Sequence, residues 1–179
     1  PCLTCSAKYV NRHIMHMDPT IVVIGGGFSG ALTAIHLSRA RQYRVVLIEK
    51  RKEVGRGVAY SAPSDAFLLN VRASNMSAFP DIQHHFSEWL HQKHQISDPN
   101  IFASRFLYGS YINALIHEEI KYGYLNIITG QATDIIPQDN STFSVCIEKQ
   151  PSIIAHALVL ALGHEIRPGI PQATNVSDM

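Results

Sequence analysis

A glycine-rich stretch follows a short apolar run near the beginning of the sequence. The run is TIVVI, Thr20–Ile24, and the letters GGGFSG after it place glycines at positions 25, 27 and 30. The first glycine permits a tight turn, the second lets a ligand approach the backbone, and the third lets a helix pack on the strand. Free amides at the start of that helix can bind a diphosphate. The spacing predicts a site for an adenine dinucleotide, and a simple tight turn is the alternative.

Glu49 is the acidic residue that such a site requires. It ends a second apolar run, RVVLIE, about 20 residues after the glycines, where a carboxylate can accept hydrogen bonds from ribose hydroxyls. Its charge disfavours a 2′-phosphate. The alternative is that Glu49 is an ordinary acidic residue on the surface with no ligand. Lys50 and the two basic residues after it could bind a phosphate, although such a run more often forms a solvated loop.

The pattern of apolar residues predicts an α/β fold around this turn. A strand, a helix and a second strand at 20–24, 31–40 and 44–49 would form a βαβ unit with parallel strands. The remaining pattern predicts a loop at 50–81, helices at 81–94 and 105–122, and strands at 125–129, 131–136, 142–147 and 157–162. Asp139 and Asn140 suggest a hairpin turn between two of those strands. We therefore expect a parallel sheet, a β-rich layer and a helical insertion.

The bulk composition excludes several classes of protein. The 179 residues are 46% hydrophobic and 16% charged, with a formal net charge of +1, so bulk charge does not favour a nucleic-acid partner. No apolar run approaches the roughly 20 residues that span a bilayer, and no secretory signal is visible. Three cysteines do not make a disulfide framework. We expect a cytoplasmic protein with no membrane or nucleic-acid partner.

Other chemistries find little support in the sequence. Cys2 and Cys5 have dithiol spacing but precede the first strand, and Cys146 stands alone. His91 and His94 share a helix face, but no neighbouring carboxylate completes a set of metal ligands. We therefore predict no metal site. No nucleophile motif of a hydrolase is present.

The stretch after the second strand resembles one group of flavoproteins. The matching segments are GVAY at 57–60, LLNV at 68–71 and MSAFP at 76–80, followed by Arg105, Tyr108 and the ALG turn that ends at Gly163. The group is the FAD/NAD(P)-binding family that includes FAD-dependent urate hydroxylases and aspartate N-monooxygenases. The resemblance runs from about residue 20 to residue 171. It implies a Rossmann-like fold with FAD as the cofactor and NAD(P)H as the electron donor.

The resemblance also implies which residues contact FAD. The glycine turn would hold the pyrophosphate, Glu49 the ribose, and the segment from Asn70 to Met76 would lie beside the flavin. For the apolar residues of this segment, the alternative is an ordinary place in the hydrophobic core; these residues are Leu68, Leu69, Val71 and Met76. Arg72 could instead form an ordinary ion pair on the surface. The full set of candidate cofactor contacts is Gly25, Gly27, Phe28, Ser29, Gly30, Glu49, Lys50, Tyr60, Asn70, Val71, Arg72, Met76, Ala132, Leu162 and Gly163. No catalytic side chain can be named.

Both ends of the sequence affect the functional prediction. We expect residues 1–17 to be an unstructured leader, residues 18–171 to form the FAD/NAD(P)-binding domain, and residues 172–179 to be the tail of a truncated chain. Members of the family are longer and carry a second glycine fingerprint for NAD(P)H. The expected function is the FAD-binding part of a hydroxylase that acts on a small molecule, with the isolated fragment catalytically incomplete. An NAD(H)-binding dehydrogenase domain and a non-catalytic remnant are the alternatives.

Overall fold

A computed structural model of the protein describes residues 18–61 and 64–163. Its helices and strands, in chain order, are β1 (Thr20–Ile24), α1 (Phe28–Arg39), β2 (Arg44–Glu49), α2 (His85–His94), α3 (Arg105–Lys121), β3 (Leu125–Thr129), β4 (Ala132–Pro137), β5 (Phe143–Ile147), β6 (Gln150–Ala155) and β7 (Ala157–Leu160). The segments predicted to be a leader and a tail, and the Cys2–Cys5 pair, lie outside the described residues.

A four-stranded parallel sheet forms the centre of the fold. Its strand order is β3-β2-β1-β7, and β1 pairs with β2 and β7 in parallel register. The central strands are continuous apolar runs because both faces of the sheet are covered. The predicted βαβ unit is confirmed. Helix α1 begins at Phe28, three residues before the prediction, because its first turn consists of residues that show no apolar periodicity.

A smaller antiparallel sheet has the order β4-β5-β6. The predicted hairpin joins β4 to β5, and the Gln138 amide donates to the Thr142 carbonyl across the turn. Strand β6 was not predicted. It is an edge strand with a proline at its second position and mostly exposed side chains, so it lacks the apolar alternation that indicates a strand.

The two sheets and the helices form three layers with two apolar cores. The larger core lies between the parallel sheet and helices α1, α2 and α3. The smaller core lies between the other face of the parallel sheet and the antiparallel sheet. Phe86, Trp89 and Leu90 are buried on α2 at the predicted spacing. That helix starts at His85 rather than 81, after His84 in a left-handed backbone conformation with φ of 63°.

A buried acid joins the far ends of α1 and α3. The Glu119 carboxylate lies 2.7 Å from the Arg41 guanidinium and accepts a hydrogen bond of 2.9 Å from the Ser38 hydroxyl. This contact keeps α1 and α3 together at the end of the sheet opposite the glycine turn.

None of the helices within residues 18–61 and 64–163 has both the length and the apolar character that a membrane span requires.

Candidate functional site

The glycine turn joins the carboxyl end of β1 to the start of α1. Gly25 has φ of +102°, a conformation that side chains rarely adopt, and its amide donates to the Ile48 carbonyl at 2.8 Å. No side chain caps α1, and its first turn carries no acid. Because the first amides of a helix have no partner within the helix, this end of α1 offers donors to an anionic group.

Each predicted glycine has a different steric environment. A Cβ on Gly30 would overlap the Gly25 carbonyl oxygen, so the helix packs directly on the turn. A Cβ on Gly27 would come no closer than 3.5 Å to the protein, at the Cα of Gly57. The fold therefore requires glycine at 30, whereas at 27 the protein leaves room. The structure thus shows the close helix packing expected at Gly30, while the approach of a ligand to Gly27 stays a prediction.

Glu49 lies at the carboxyl end of β2 and contacts the glycine turn directly. One carboxylate oxygen accepts from the amide of Gly26 at 2.6 Å, and the other accepts from the amide of Arg51 at 3.0 Å. A carboxylate has about four acceptor positions, so each oxygen keeps capacity for a further donor such as a ribose hydroxyl. Glu49 thus also holds the turn in place, a role that the sequence did not indicate.

Gly26 is a residue that the spacing rule missed. The motif treats this position as variable, yet a Cβ there would lie 2.7 Å from the Glu49 Cβ and 3.1 Å from Val54. Glycine is therefore needed at 26 because the carboxylate side chain crosses directly over it. The three consecutive glycines in the sequence were the available signal.

Two further segments close around the turn. The chain returns from β7 past Gly25, with the amide of Ala161 donating to the Ile24 carbonyl at 2.8 Å. On the other side, Gly57 has φ of +57°, and a Cβ there would lie 3.1 Å from the Phe28 amide nitrogen. Leu162 is 70% exposed next to this return. The structure thus places Ala161 and the Leu162 amide beside Gly25, and Gly57 beside Phe28. That Leu162 and Gly163 contact a cofactor stays a prediction.

An aromatic cluster flanks the start of α1. The Phe28 ring lies 5.0 Å from Tyr60 and 5.9 Å from Tyr108, measured between centroids. Burial raises the pKa of the Tyr60 phenol, and the nearby Arg105 guanidinium partly opposes this shift. Burial likewise raises the pKa of Tyr108. Tyr60 therefore stays a neutral phenol at physiological pH and can donate a hydrogen bond beside the first turn of the helix.

The predicted flavin-side segment is irregular apart from a short 3₁₀ helix at Ala73–Asn75, and it is held by the residues before α3. The amides of Leu69 and Ala73 donate to the carbonyls of Ala103 and Ile101, each at 2.9 Å. The Arg72 guanidinium donates to the Asn100 carbonyl at 3.0 Å. This support from 99–105 was not foreseen, because hydrogen bonds between two irregular segments leave no periodic pattern.

Side chains in this segment divide between core and surface. Leu69 is buried, and Met76 packs partly against the larger core. Leu68 is 52% exposed and Val71 39% exposed, and Asn70 is also exposed. The core interpretation therefore holds for Leu69 and in part for Met76, and it is wrong for Leu68 and Val71.

The remaining predicted contacts lie at the edges of the site. Ala132 begins β4, and two residues earlier the Gly130 amide donates to the Glu49 carbonyl at 2.9 Å, which places the start of β4 next to the end of β2. Lys50 and Ser29 are exposed. The structure thus groups Ala132 with Glu49, and it leaves the Lys50 side chain in solvent.

Within the part of the chain that the structure describes, no three His, Cys, Asp or Glu side chains are placed to hold a metal ion. His91 bonds to the Ser97 hydroxyl at 3.3 Å, and the His94 ring lies 4.9 Å from Trp89. Cys146 is a free thiol in β5, only half-buried.

Several solved structures have a similar fold. OTEMO in complex with FAD and NADP is 18% identical, with 88% of this chain and 28% of that chain covered and a TM-score of 0.56. A closed form of cyclohexanone monooxygenase is 16% identical over 81% of this chain and 26% of that one, with a TM-score of 0.55. A mutant flavin monooxygenase from Stenotrophomonas maltophilia is 17% identical over 79% and 38%, also with a TM-score of 0.55.

These identities establish the fold alone, and they confirm the predicted Rossmann-like α/β class. The chain spans between 26% and 38% of the length of those three proteins. No curated protein sequence matches it. The sequence model of a family described as FAD-NAD(P)-binding matches residues 22–165, which include the glycine turn, Glu49 and the return turn. The chain therefore belongs to the FAD-NAD(P)-binding family.

Proposed function

We propose that this chain is the FAD-binding part of a flavin-dependent oxidoreductase that takes electrons from NAD(P)H, with hydroxylase or monooxygenase chemistry on a small molecule. The observation that carries the proposal is the uncapped start of α1 beside a carboxylate that already organises the glycine turn. The match to the FAD-NAD(P)-binding family supports it. The urate hydroxylases and aspartate N-monooxygenases are the branch of that family we favour.

The donors in the turn fit a dinucleotide. Backbone amides of Gly27, Phe28, Ser29 and Gly30 would bind the pyrophosphate, with the neutral Tyr60 phenol as a side-chain donor beside them. Glu49 would accept from the ribose hydroxyls, and its negative charge would repel a 2′-phosphate. The free space at Gly27 is the cradle that a Cβ would fill.

The other contacts would surround the rest of the cofactor. The backbone of Ala132 would meet the adenine, with Lys50 at the solvent edge. We assign the flavin side to the segment from Asn70 to Met76, with Val71 and Arg72 between them, and the returning turn to Gly25, Leu162 and Gly163. Bound FAD supplies the redox chemistry. The chain orients it, and the rings of Phe28, Tyr60 and Tyr108 exclude water from one side of it.

Titrations with FAD and NADH test the proposal. The purified chain is freed of any bound nucleotide, and the affinity for each dinucleotide is measured by calorimetry. We expect FAD to bind at least about tenfold more tightly than NADH, a difference of about 1.4 kcal/mol. Tighter binding of NADH would favour the dehydrogenase alternative. A chain that folds but binds neither would favour a non-catalytic remnant.

A pair of charge-matched variants makes the test specific to the site. Glu49→Gln and Glu53→Gln each remove one negative charge, and the Glu53 side chain is 77% exposed. We expect Glu49→Gln to weaken FAD binding by about ten- to 100-fold, because a charge-assisted hydrogen bond contributes about 1.5–3 kcal/mol. Glu53→Gln should bind FAD like the wild type. Equal losses in both variants would show that bulk charge, not the site, controls binding.

We also propose that the protein acts in the cytoplasm without a nucleic-acid partner. The free Cys146 thiol and the net charge of +1 support this assignment. Fractionation of cells that express the tagged full-length gene product tests the location, and a membrane-bound or secreted product would contradict it.

A further inference from the structure

A loop after β2 lies between the glycine turn and α3, and its residues 54–60 are here termed the bridging loop. On the side of the turn, the Gly55 amide donates to the Gly26 carbonyl at 2.8 Å. On the side of α3, the Asn113 side-chain amide donates to the Val54 carbonyl at 3.1 Å. The bridging loop is therefore fastened to both elements, and a change in its seat on α3 reaches the glycine turn.

Gly57 brings the bridging loop close to the start of α1. Its Cα lies 3.5 Å from a Cβ placed on Gly27, and a Cβ on Gly57 itself would lie 3.1 Å from the Phe28 amide nitrogen. Gly57 therefore bounds the space that we assign to the pyrophosphate. Movement of Gly57 towards α1 would narrow that space, and movement away from α1 would open it to water.

The Arg56 side chain fixes the bridging loop to α3. Its guanidinium donates to the Ser110 hydroxyl at 2.9 Å and to the Phe106 carbonyl at 3.2 Å, and its Cζ lies 4.1 Å from the Phe106 ring centroid. The side chain is only 13% exposed, whereas its ionic partner Glu53 is 77% exposed at 3.4 Å and contributes little as a surface pair. A planar fork that bonds two groups and stacks on a ring has one orientation, so these contacts determine where the bridging loop lies.

Gly109 forms a notch in α3 that receives the stem of this side chain. A Cβ on Gly109 would lie 2.9 Å from the Arg56 Cγ and 2.9 Å from the Tyr60 carbonyl oxygen, which is closer than a methyl group can pack. Glycine is less favourable than alanine inside a helix. Its presence at this position therefore serves the close contact between α3 and the bridging loop rather than the helix.

We propose that Arg56 is a positioning residue for the cofactor site. From its seat on α3 it holds Gly57 at one distance from the start of α1, and that distance sets the fit of a diphosphate. The role in diphosphate binding rests on the proposed function. The fixing of the bridging loop by Arg56 does not, because its contacts exist without a cofactor.

Two replacements of Arg56 separate positioning from simple attraction of charge. Arg56→Met keeps the apolar stem and removes the charge, whereas Arg56→Lys keeps the charge and removes the planar fork. We expect both variants to weaken FAD binding at least about fivefold, the equivalent of one hydrogen bond. Arg44→Met is the matched control, since it removes the same charge from an exposed residue at the other end of β2, and it should bind FAD like the wild type. Wild-type affinity in Arg56→Lys would show that only the charge matters and would overturn the proposal.

The affinities for ADP and AMP locate the effect at the diphosphate. The two nucleotides share the adenosine that Glu49 and Ala132 would contact, and only ADP carries the diphosphate. We expect Arg56→Met to lower the ratio of ADP affinity to AMP affinity at least about threefold, which is part of one hydrogen bond, while AMP binds nearly as it does to the wild type. Equal losses for both nucleotides would indicate a general structural effect and would overturn the positioning role.

Gly109→Ala tests the same contact from the side of α3. Alanine favours the helix, but its Cβ would displace the bridging loop. We expect the helical content by circular dichroism to be unchanged and the FAD affinity to fall at least about fivefold. A folded Gly109→Ala protein with wild-type FAD affinity would contradict the proposal.

Amide hydrogen exchange of the ligand-free protein separates this proposal from the proposed function. Arg56→Met should speed the exchange of the Gly55 amide at least about tenfold, because its bond to the turn opens more often, while the buried Val46 amide of β2 should exchange as in the wild type. Unchanged exchange at Gly55 would overturn the fixing of the bridging loop. If exchange rises but the wild type binds neither FAD nor ADP, the loop is fixed by Arg56 and the proposed function fails. If FAD binds the wild type and the Arg56 variants equally, the proposed function stands and the positioning role is overturned.

Discussion

Replacement of Gly27 by alanine separates folding from cofactor binding. Gly27 precedes α1 with φ of −65° and ψ of −172°, which alanine adopts without strain. Its new Cβ would come no closer than 3.5 Å to the protein. We therefore expect the free energy of unfolding to change by no more than about 1 kcal/mol, since glycine and alanine differ only modestly before a helix.

Binding should respond far more strongly than stability. The added methyl group would occupy the space in which a pyrophosphate approaches the first amides of α1. Loss of two charge-assisted hydrogen bonds, at about 1.5–3 kcal/mol each, corresponds to a loss of roughly 100-fold or more in affinity for FAD. Calorimetric titration gives the affinity, and urea unfolding of the same sample gives the stability.

Ser29→Ala is the matched control for this experiment. Ser29 is exposed in the first turn of α1, and its side chain can be truncated while its amide stays in place. We expect FAD affinity within about threefold of the wild type, because backbone donors carry the proposed contact. A Gly27→Ala protein that is stable and binds FAD like the wild type would refute the close-approach argument.

Three further predictions concern the interior. Tyr111→Phe should destabilise the fold by about 1–3 kcal/mol in urea unfolding, because the buried Ala78 amide that donates to the Tyr111 hydroxyl at 3.0 Å loses its partner; an unchanged midpoint would argue against this bond. Burial lowers the pKa of His85, so the unfolded chain binds the proton more readily and stability should fall as the pH drops below about 6.5. His85→Asn should flatten that dependence between pH 7.5 and 5.5, and an identical pH profile would contradict the prediction. Glu119→Gln should cost about 1–3 kcal/mol through loss of the ion pair with Arg41, and thermal unfolding at wild-type temperature would count against it.

Much of the fold could be read from local patterns. The strands Thr20–Ile24 and Arg44–Glu49 have the predicted bounds, because buried parallel strands are continuous apolar runs that stand out from their surroundings. The predicted start of helix α2 was wrong by four residues, and strand β6 was not predicted. The start of α2 depends on the left-handed His84, and β6 depends on pairing with β5, so neither is determined by its own residues.

The sequence by itself determined the glycine turn, its acidic partner and the order of the first strands and helix. These features follow from backbone conformation and apolar periodicity, which act over a few residues. Only the tertiary structure decided that Gly26 must be glycine, because the side chain that would meet its Cβ belongs to Glu49, 23 residues later. It also decided that the loop containing Leu69 and Ala73 is held by hydrogen bonds to the segment before α3. Such contacts join distant segments through packing, and no local pattern records them.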